Sequence, residues 1–180
     1  MICSICDFYL KQKMLYNKKC LKTDIMWVGL SAKLFNQVGC VPPLDLSTNT
    51  GKIIKKIEDI NPNLLYYKSN LVKYAPINSD GKLRYPTKEE MDFCFPCLYQ
   101  EINTINPKLV FLLGDKVSNF VLKKFGFMIK KDFMYRIFVY ENMKFVPIYH
   151  PSYIWIYKRK EESKYIHTVY SVIAECFDNG

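Results

Sequence analysis

No stretch of this sequence approaches the roughly 18 to 20 consecutive apolar residues that a membrane-spanning helix requires. No membrane partner is therefore expected. The start lacks a secretory pattern as well. Met1 leads into Cys-Ser-Ile-Cys-Asp, where a leader would carry a basic stretch and then an apolar one. The expected compartment is a reducing cytoplasm. There the seven cysteines are thiols or metal ligands rather than disulfides. Internal repeats and low-complexity segments are also missing, which excludes solenoids and leaves one domain over residues 1–180. Disorder is excluded by composition, since 49% of residues are hydrophobic and 16% aromatic.

The formal net charge is +9. Lysines fall in small clusters, at Lys55-Lys56, Lys123-Lys124, Lys130-Lys131 and Lys158-Arg159-Lys160, and aromatics interleave with the last of these from Tyr153 to Tyr157. Basic side chains neutralise phosphates and aromatic faces stack on unpaired bases. The same composition also suits a lysine-rich solvated surface, so charge alone leaves both readings open.

Along the chain, Ile25 to Gly29 is an apolar run closed by glycine and reads as a buried strand. Ile53, Ile54 and Ile57 have helical spacing. Leu65 to Val72 reads as the second strand. Thr87 and Glu90 have capping-box spacing, and the helix they open runs to about Ile105, before Asn106-Pro107. Leu109 to Gly114 is the clearest buried strand. A helix over Lys116 to Phe125 follows, closed by Gly126. Arg136 to Tyr140 and Lys144 to Ile148 read as a hairpin around Glu141-Asn142, and Ser163 to Phe177 as the last helix. Strands alternating with helices predict an α/β fold, a three-layer α/β/α sandwich with a short, mainly parallel central sheet. Ligands of such sheets bind beyond the carboxyl ends of the strands. Those ends lie after Gly29, at Ser69-Asn70, after Gly114 and at His150.

The strand ends carry an ordered set of motifs. Trp27-Val28-Gly29-Leu30-Ser31-Ala32-Lys33 is followed by Thr50-Gly51-Lys52-Ile53-Ile54, then by Lys68-Ser69-Asn70-Leu71-Val72-Lys73. Pro107 to Gly114 and His150-Pro151-Ser152-Tyr153 complete the set. In this order the set resembles the uracil-DNA glycosylase superfamily, closest to its family 4 branch, over nearly the whole chain. The resemblance implies a monomer that acts on DNA, single-stranded or duplex, containing a damaged or modified base. It implies that His150 donates a hydrogen bond to the leaving base, and that Asn70 reads the pyrimidine edge through its paired donor and acceptor. Ser152, Tyr153, Lys158 and Arg159 are the implied DNA contacts, with Ile154 to Lys160 matching an intercalation loop; Lys33, which replaces the last glycine of the first motif, is a further candidate to meet a phosphate or a polar substrate. The other reading of that aromatic segment is the start of a helix packed on the sheet.

The first motif departs from the pattern. Leu30 stands where family 4 has the acidic residue that orients water, and leucine cannot do that work. Ser31 falls where another branch has its catalytic aspartate. Asp45, in the next loop, is the candidate replacement, with solvated loop carboxylate as its other reading. Leu46 falls near the family's stacking phenylalanine, and Leu30 and Leu46 are expected to line the base pocket. Three functions therefore stay open: a glycosylase hydrolysing the N-glycosidic bond of uracil or a related base, as in base excision repair; a catalytically weakened binder of damaged bases; and a relative acting on modified bases in viral DNA.

The family 4 resemblance also implies a structural [4Fe–4S] cluster. Cys3 and Cys6 form a C-x-x-C pair, Cys94 sits at the last ligand position and Cys97 one helical turn beyond it. Tyr74 occupies the usual third position, and Cys20 is a further candidate. Zinc on the same thiols, or no metal, are the alternatives.

Overall fold

The computed structural model describes residues 23–35, 39–40 and 42–177. Cys3, Cys6 and Cys20 lie outside these residues. The core strand β1 (Ile25–Ser31) is followed by a small two-stranded ribbon, β2 (Leu34–Phe35) and β3 (Gly39–Cys40). Helix α1 (Asn49–Ile60) leads to β4 (Tyr66–Val72), and α2 (Lys88–Ile105) to β5 (Leu109–Leu113). Helix α3 (Asp115–Lys124) precedes the hairpin β6 (Phe138–Tyr140) and β7 (Met143–Ile148), and the chain ends in α4 (Pro151–Tyr157) and α5 (Glu162–Phe177).

The central sheet has the order β4-β1-β5-β7-β6, parallel throughout except for the antiparallel β6 edge. Parallel strands covered on both faces must be apolar on both, and β1 and β5 are buried along nearly their whole length. Alternation then divides their side chains between two cores. Met26, Val28, Val110, Leu112 and Phe145 pack under α2 and α3. Ile25, Trp27, Phe111, Leu113 and Ile148 pack under α1, α4 and α5. Trp27 stacks on Phe111 at 4.6 Å between ring centres. The result is the expected three-layer sandwich.

Local chemistry explains the boundaries. The capping box forms as the spacing predicts: Thr87 Oγ1 accepts the amide of Glu90, whose carboxylate accepts the amide of Thr87. Asn106 ends α2 in the left-handed conformation at φ 47°. The expected strand from Arg136 is shorter, beginning at Phe138. Tyr135 adopts φ 62° and gives its amide to the Pro147 carbonyl at 2.7 Å, so the chain turns there before it can pair.

Strand β4 forms an edge of the sheet, and a buried polar cluster ties it to α2. Tyr67 and Ser69 donate to the two carboxylate oxygens of Glu101, the latter at 2.6 Å. The Lys73 ammonium contacts both Ser69 Oγ and Glu101, with lysine and glutamate side chains 1% and 2% exposed. Removing one partner of a buried pair costs about 3–5 kcal/mol. Lys73→Met, which deprives Glu101 of its ammonium, is expected to lower unfolding free energy by that amount in urea titration. A loss under about 1 kcal/mol, the range of exposed pairs, would show that the pair is not sealed from water.

Candidate active site

The parallel register brings four strand ends to one side of the molecule. Ser69, Val28, Leu112 and Pro147 form one row across β4, β1, β5 and β7. One residue beyond this row, Asn70 lies beside Gly29. Gly114 and His150 follow beyond the ends of β5 and β7. At about 4.8 Å per strand, three strand spacings separate Asn70 from the end of β7 by roughly 14 Å across the sheet, and His150 follows two residues further along.

Asn70 is 4% exposed. Its Oδ1 sits over Gly29, so close that a Cβ on Gly29 would lie 2.4 Å away, with Leu44 Cδ2 at 3.3 Å. Glycine is required there by the amide, not by the backbone conformation. Among the described residues, none hydrogen-bonds the Asn70 side chain.

His150 follows β7 in extended conformation (φ −63°, ψ 126°) and caps α4, with Pro151 as the first helical residue. Its Nδ1 accepts the Ser152 amide at 3.2 Å and lies 2.7 Å from Ser152 Oγ. A nitrogen that accepts from an amide carries no proton. The Ser152 hydroxyl is then a second donor to it, and the imidazole proton resides on Nε2. Burial, aided by the positive charge of Lys33, pushes the His150 pKa down to about 4. At neutral pH the side chain is an uncharged imidazole offering one N–H.

Two neighbours fix this arrangement. Gly114, at φ 92°, would place a Cβ 3.2 Å from His150 Cβ, so its bareness admits the histidine. Tyr165, buried in α5, donates its hydroxyl to the Tyr149 carbonyl at 2.7 Å and anchors the residue before His150.

Asp45 belongs to the loop before α1. Its carboxylate accepts the Ser47 amide at 2.8 Å. Bonds from Ser47, reinforced by the charge of Lys68, hold it below the usual carboxylate range, so it is ionised at neutral pH. The loop is pressed against the helix start. The Asp45 and Leu44 carbonyls lie where a Gly51 side chain would be, at 2.0 and 2.6 Å from an ideal Cβ, and Thr48 caps the helix by accepting the Gly51 amide at 3.0 Å.

The structure sorts the other expected residues. Leu30 packs toward the core under α2 and α3, on the opposite sheet face from Trp27 and away from the Asn70 amide. Leu44, at φ 56°, takes the position beside Asn70, while Leu46 is 51% exposed. Leu44 and Tyr165 were not singled out in the sequence, because neither belongs to a motif; their roles depend on a left-handed turn and on a helix more than a dozen residues away. Ser31 ends β1 partly buried, and Lys33 is exposed just beyond it. The aromatic segment after His150 is a helix. Its Ile154 is buried and Trp155 packs on the core beneath the Arg159 guanidinium, 4.2 Å from the ring centre. Tyr153, Ile156 and Tyr157 are the large side chains it leaves to solvent, at 42%, 61% and 73% exposure.

Of the expected metal ligands, Cys94 and Cys97 are buried in α2. Tyr74 does not act as a third ligand. Its hydroxyl donates to Glu90 at 2.9 Å, and burial with that contact raises its pKa, keeping the phenol protonated. Arg84 also grips Glu90, at 2.6 and 2.8 Å, and holds that carboxyl at a pKa of about 2.

The family model for the uracil DNA glycosylase superfamily matches residues 12–174. Over 111 residues the chain is 28% identical to a type-4 uracil-DNA glycosylase of Sulfurisphaera tokodaii, covering 61% of this chain and 42% of that protein. It is 30% identical over 91 residues to a type-4 uracil-DNA glycosylase of Saccharolobus solfataricus, covering 47% and 40%. The chain thus spans about two fifths of the length of these curated relatives. The crystal structure of wild-type Pedobacter heparinus SMUG2 superposes with a TM-score of 0.58 at 13% identity, over 88% of this chain and 77% of that one, a likeness of fold.

The depressed His150 pKa has a measurable consequence. Below the ordinary value near 6.5 the unfolded chain takes up a proton that the folded imidazole refuses, so stability is full above 6.5 and declines as pH falls toward about 4. NMR titration is expected to give His150 a midpoint of about 4 with the proton on Nε2, rising in Lys33→Ala. A midpoint near 6.5 would contradict the neutral, half-buried imidazole.

Proposed function

The chain belongs to the uracil-DNA glycosylase superfamily, and from that premise we propose that it hydrolyses the N-glycosidic bond of uracil or a related base in DNA. The observation that carries this reading is the neutral His150, whose Nδ1 is occupied by Ser152 and whose Nε2–H is therefore available. A base turned out of the helix would lie between Asn70 and His150. The bond from the sugar C1′ to the base nitrogen breaks, and its electron pair leaves with the base. His150 donates its Nε2 hydrogen bond to the carbonyl oxygen on which that charge collects. Water adds to the cationic C1′ and the proton it loses ends on the departing base anion, giving an abasic sugar and a neutral free base.

Asp45 contributes a fixed negative charge. A carboxyl held below its usual range is a weak proton acceptor, so its stronger roles are to orient the water and stabilise the positive sugar. Leucine at position 30 favours a second reading, in which recognition persists and cleavage is slow or lost. Base release from single-stranded and duplex uracil oligonucleotides separates the two. His150→Ala is expected to slow release by about 10²–10³-fold, the usual cost of a donor aimed at developing charge. Asp45→Asn is expected to slow it with little effect on binding. No release from the wild type would exclude uracil and leave the binding reading, or one in which a differently modified base is the substrate.

The proposed resident group is a [4Fe–4S] cluster on Cys3, Cys6, Cys94 and Cys97, which would brace the fold and take no part in the steps above. The two buried thiols of α2 suit it, and the protonated Tyr74 leaves the ligand set to cysteines. Anaerobically purified protein is expected to hold about four irons and matching sulfide per chain, lost in Cys94→Ser. Zinc in their place would assign the thiols to zinc; neither metal would reject a metal centre.

A further inference from the structure

Lys33 stands where the chain leaves the central sheet. Just before it, the Ala32 amide still bonds to the Val72 carbonyl of β4 at 3.2 Å, and the Ala32 side chain is buried. Just after it, the ribbon of β2 and β3 begins at Leu34. Lys33 is thus held between two paired segments, with its own side chain exposed. In the sheet order, β1 lies between β4, which carries Asn70, and the pair β5 and β7, which lead to Gly114 and His150. Running off the carboxyl end of β1, Lys33 reaches the same side of the molecule as those residues, between them. After burial, the charge of Lys33 is what lowers the His150 pKa, so the ammonium lies near the imidazole.

A primary amine at this place has a chemistry that hydrolysis does not use. In the proposed reaction His150 donates to a carbonyl oxygen of the base, and C1′ is bonded to the ring nitrogen beside that carbonyl. A group close to His150 is therefore close to C1′. Its positive charge acts on bond breaking in opposite directions, favouring the departing base anion and opposing the cationic sugar. The product offers the amine a clearer role. Water added at C1′ leaves a hemiacetal, which opens to an aldehyde at the same carbon. Lysine amines condense with such carbonyls to form Schiff bases.

We infer that Lys33 is the nucleophile of a second activity, an abasic-site lyase that cuts the DNA strand at the sugar left by base release. The amine, having given a proton to solvent, adds to C1′ of the opened sugar, and water leaves as the imine forms. The imine withdraws electrons from C2′, which loses a proton to water. The C3′–O bond then breaks, and its electron pair departs with the phosphate on that oxygen. Water hydrolyses the imine, which returns the Lys33 amine and leaves an unsaturated aldehyde at the 3′ end of the upstream fragment. No oxidant or reductant is consumed. The inference rests on the base-excision reading for its natural substrate but not for its chemistry, since any abasic site presents the same aldehyde.

Borohydride trapping tests it. The reductant turns the imine into a stable secondary amine, so protein and DNA run as one covalent species on a denaturing gel. An oligonucleotide carrying a ready-made abasic site is incubated with wild type, Lys33→Ala, Lys33→Arg and Lys55→Ala, the last changing an exposed lysine of α1 as a control. Wild type and Lys55→Ala are expected to trap and, without borohydride, to cut the strand. Both Lys33 variants are expected to lose adduct and cutting, and mass spectrometry of the wild-type adduct is expected to find the modification on Lys33. Arginine keeps the charge but forms no such imine. Cutting by Lys33→Arg at the wild-type level would therefore overturn the inference and leave Lys33 as a charge only. Adduct on another lysine, or none in the wild type, would overturn it as well. Uracil release, measured separately, keeps the two readings apart. Lys33-dependent trapping without uracil release supports the lyase and rejects the uracil glycosylase. Uracil release without trapping rejects the lyase alone.

Discussion

Burying an ammonium group costs several kcal/mol unless a charge of opposite sign is buried with it and both are hydrogen-bonded. At Lys73 and Glu101 the chain meets that condition, with Ser69 and Tyr67 completing the bonds. The location is informative. Strand β4 is an outer strand, held by one neighbour in the sheet, and its far side is where a strand would most readily shift register. The cluster ties alternate residues of that strand to α2. Asn70, between Ser69 and Lys73 in sequence, is thereby fixed to the level of Gly29, and the distance across the sheet to His150 follows.

At the other side of the site the constraint is a hydrogen-bond direction rather than a charge. Two donors from Ser152 reach one nitrogen of His150, and this decides the position of the imidazole proton. Burial and the nearby Lys33 then keep a second proton away. A positively charged chain would ordinarily bring an ionised histidine still closer to DNA phosphates. Here one of those positive charges, Lys33, helps to hold the histidine neutral, so under the proposed function attraction of the polymer and chemistry at the base fall to different groups.

Much of this was legible in the sequence, for identifiable reasons. The sheet could be read because strands buried on both faces are short continuous apolar runs, as in Leu109 to Leu113. The capping box at Thr87 and Glu90 is a contact between residues three apart, so spacing alone specifies it. Asn70 and His150 were legible because they stand at strand ends within recognisable motifs. Leu44 was not, since its place beside Asn70 depends on a left-handed turn at a non-glycine residue. Nor was the contact of Tyr165 with the Tyr149 carbonyl, which joins separate elements. Leu30 shows the limit of reading by alignment: position in a motif does not say toward which sheet face a side chain points, and here it faces the core under α2 and α3.

The missing side chain of Gly51 has a mechanical consequence. The carbonyls of Leu44 and Asp45 occupy the space it vacates, and Thr48 bonds across the junction. The loop and the first turn of α1 are therefore braced against each other as one unit. A small tilt of α1 against the sheet would carry the Asp45 carboxylate with it, so the packing of Ile53, Ile54 and Ile57 into the core sets the aim of a charged group in the loop before the helix.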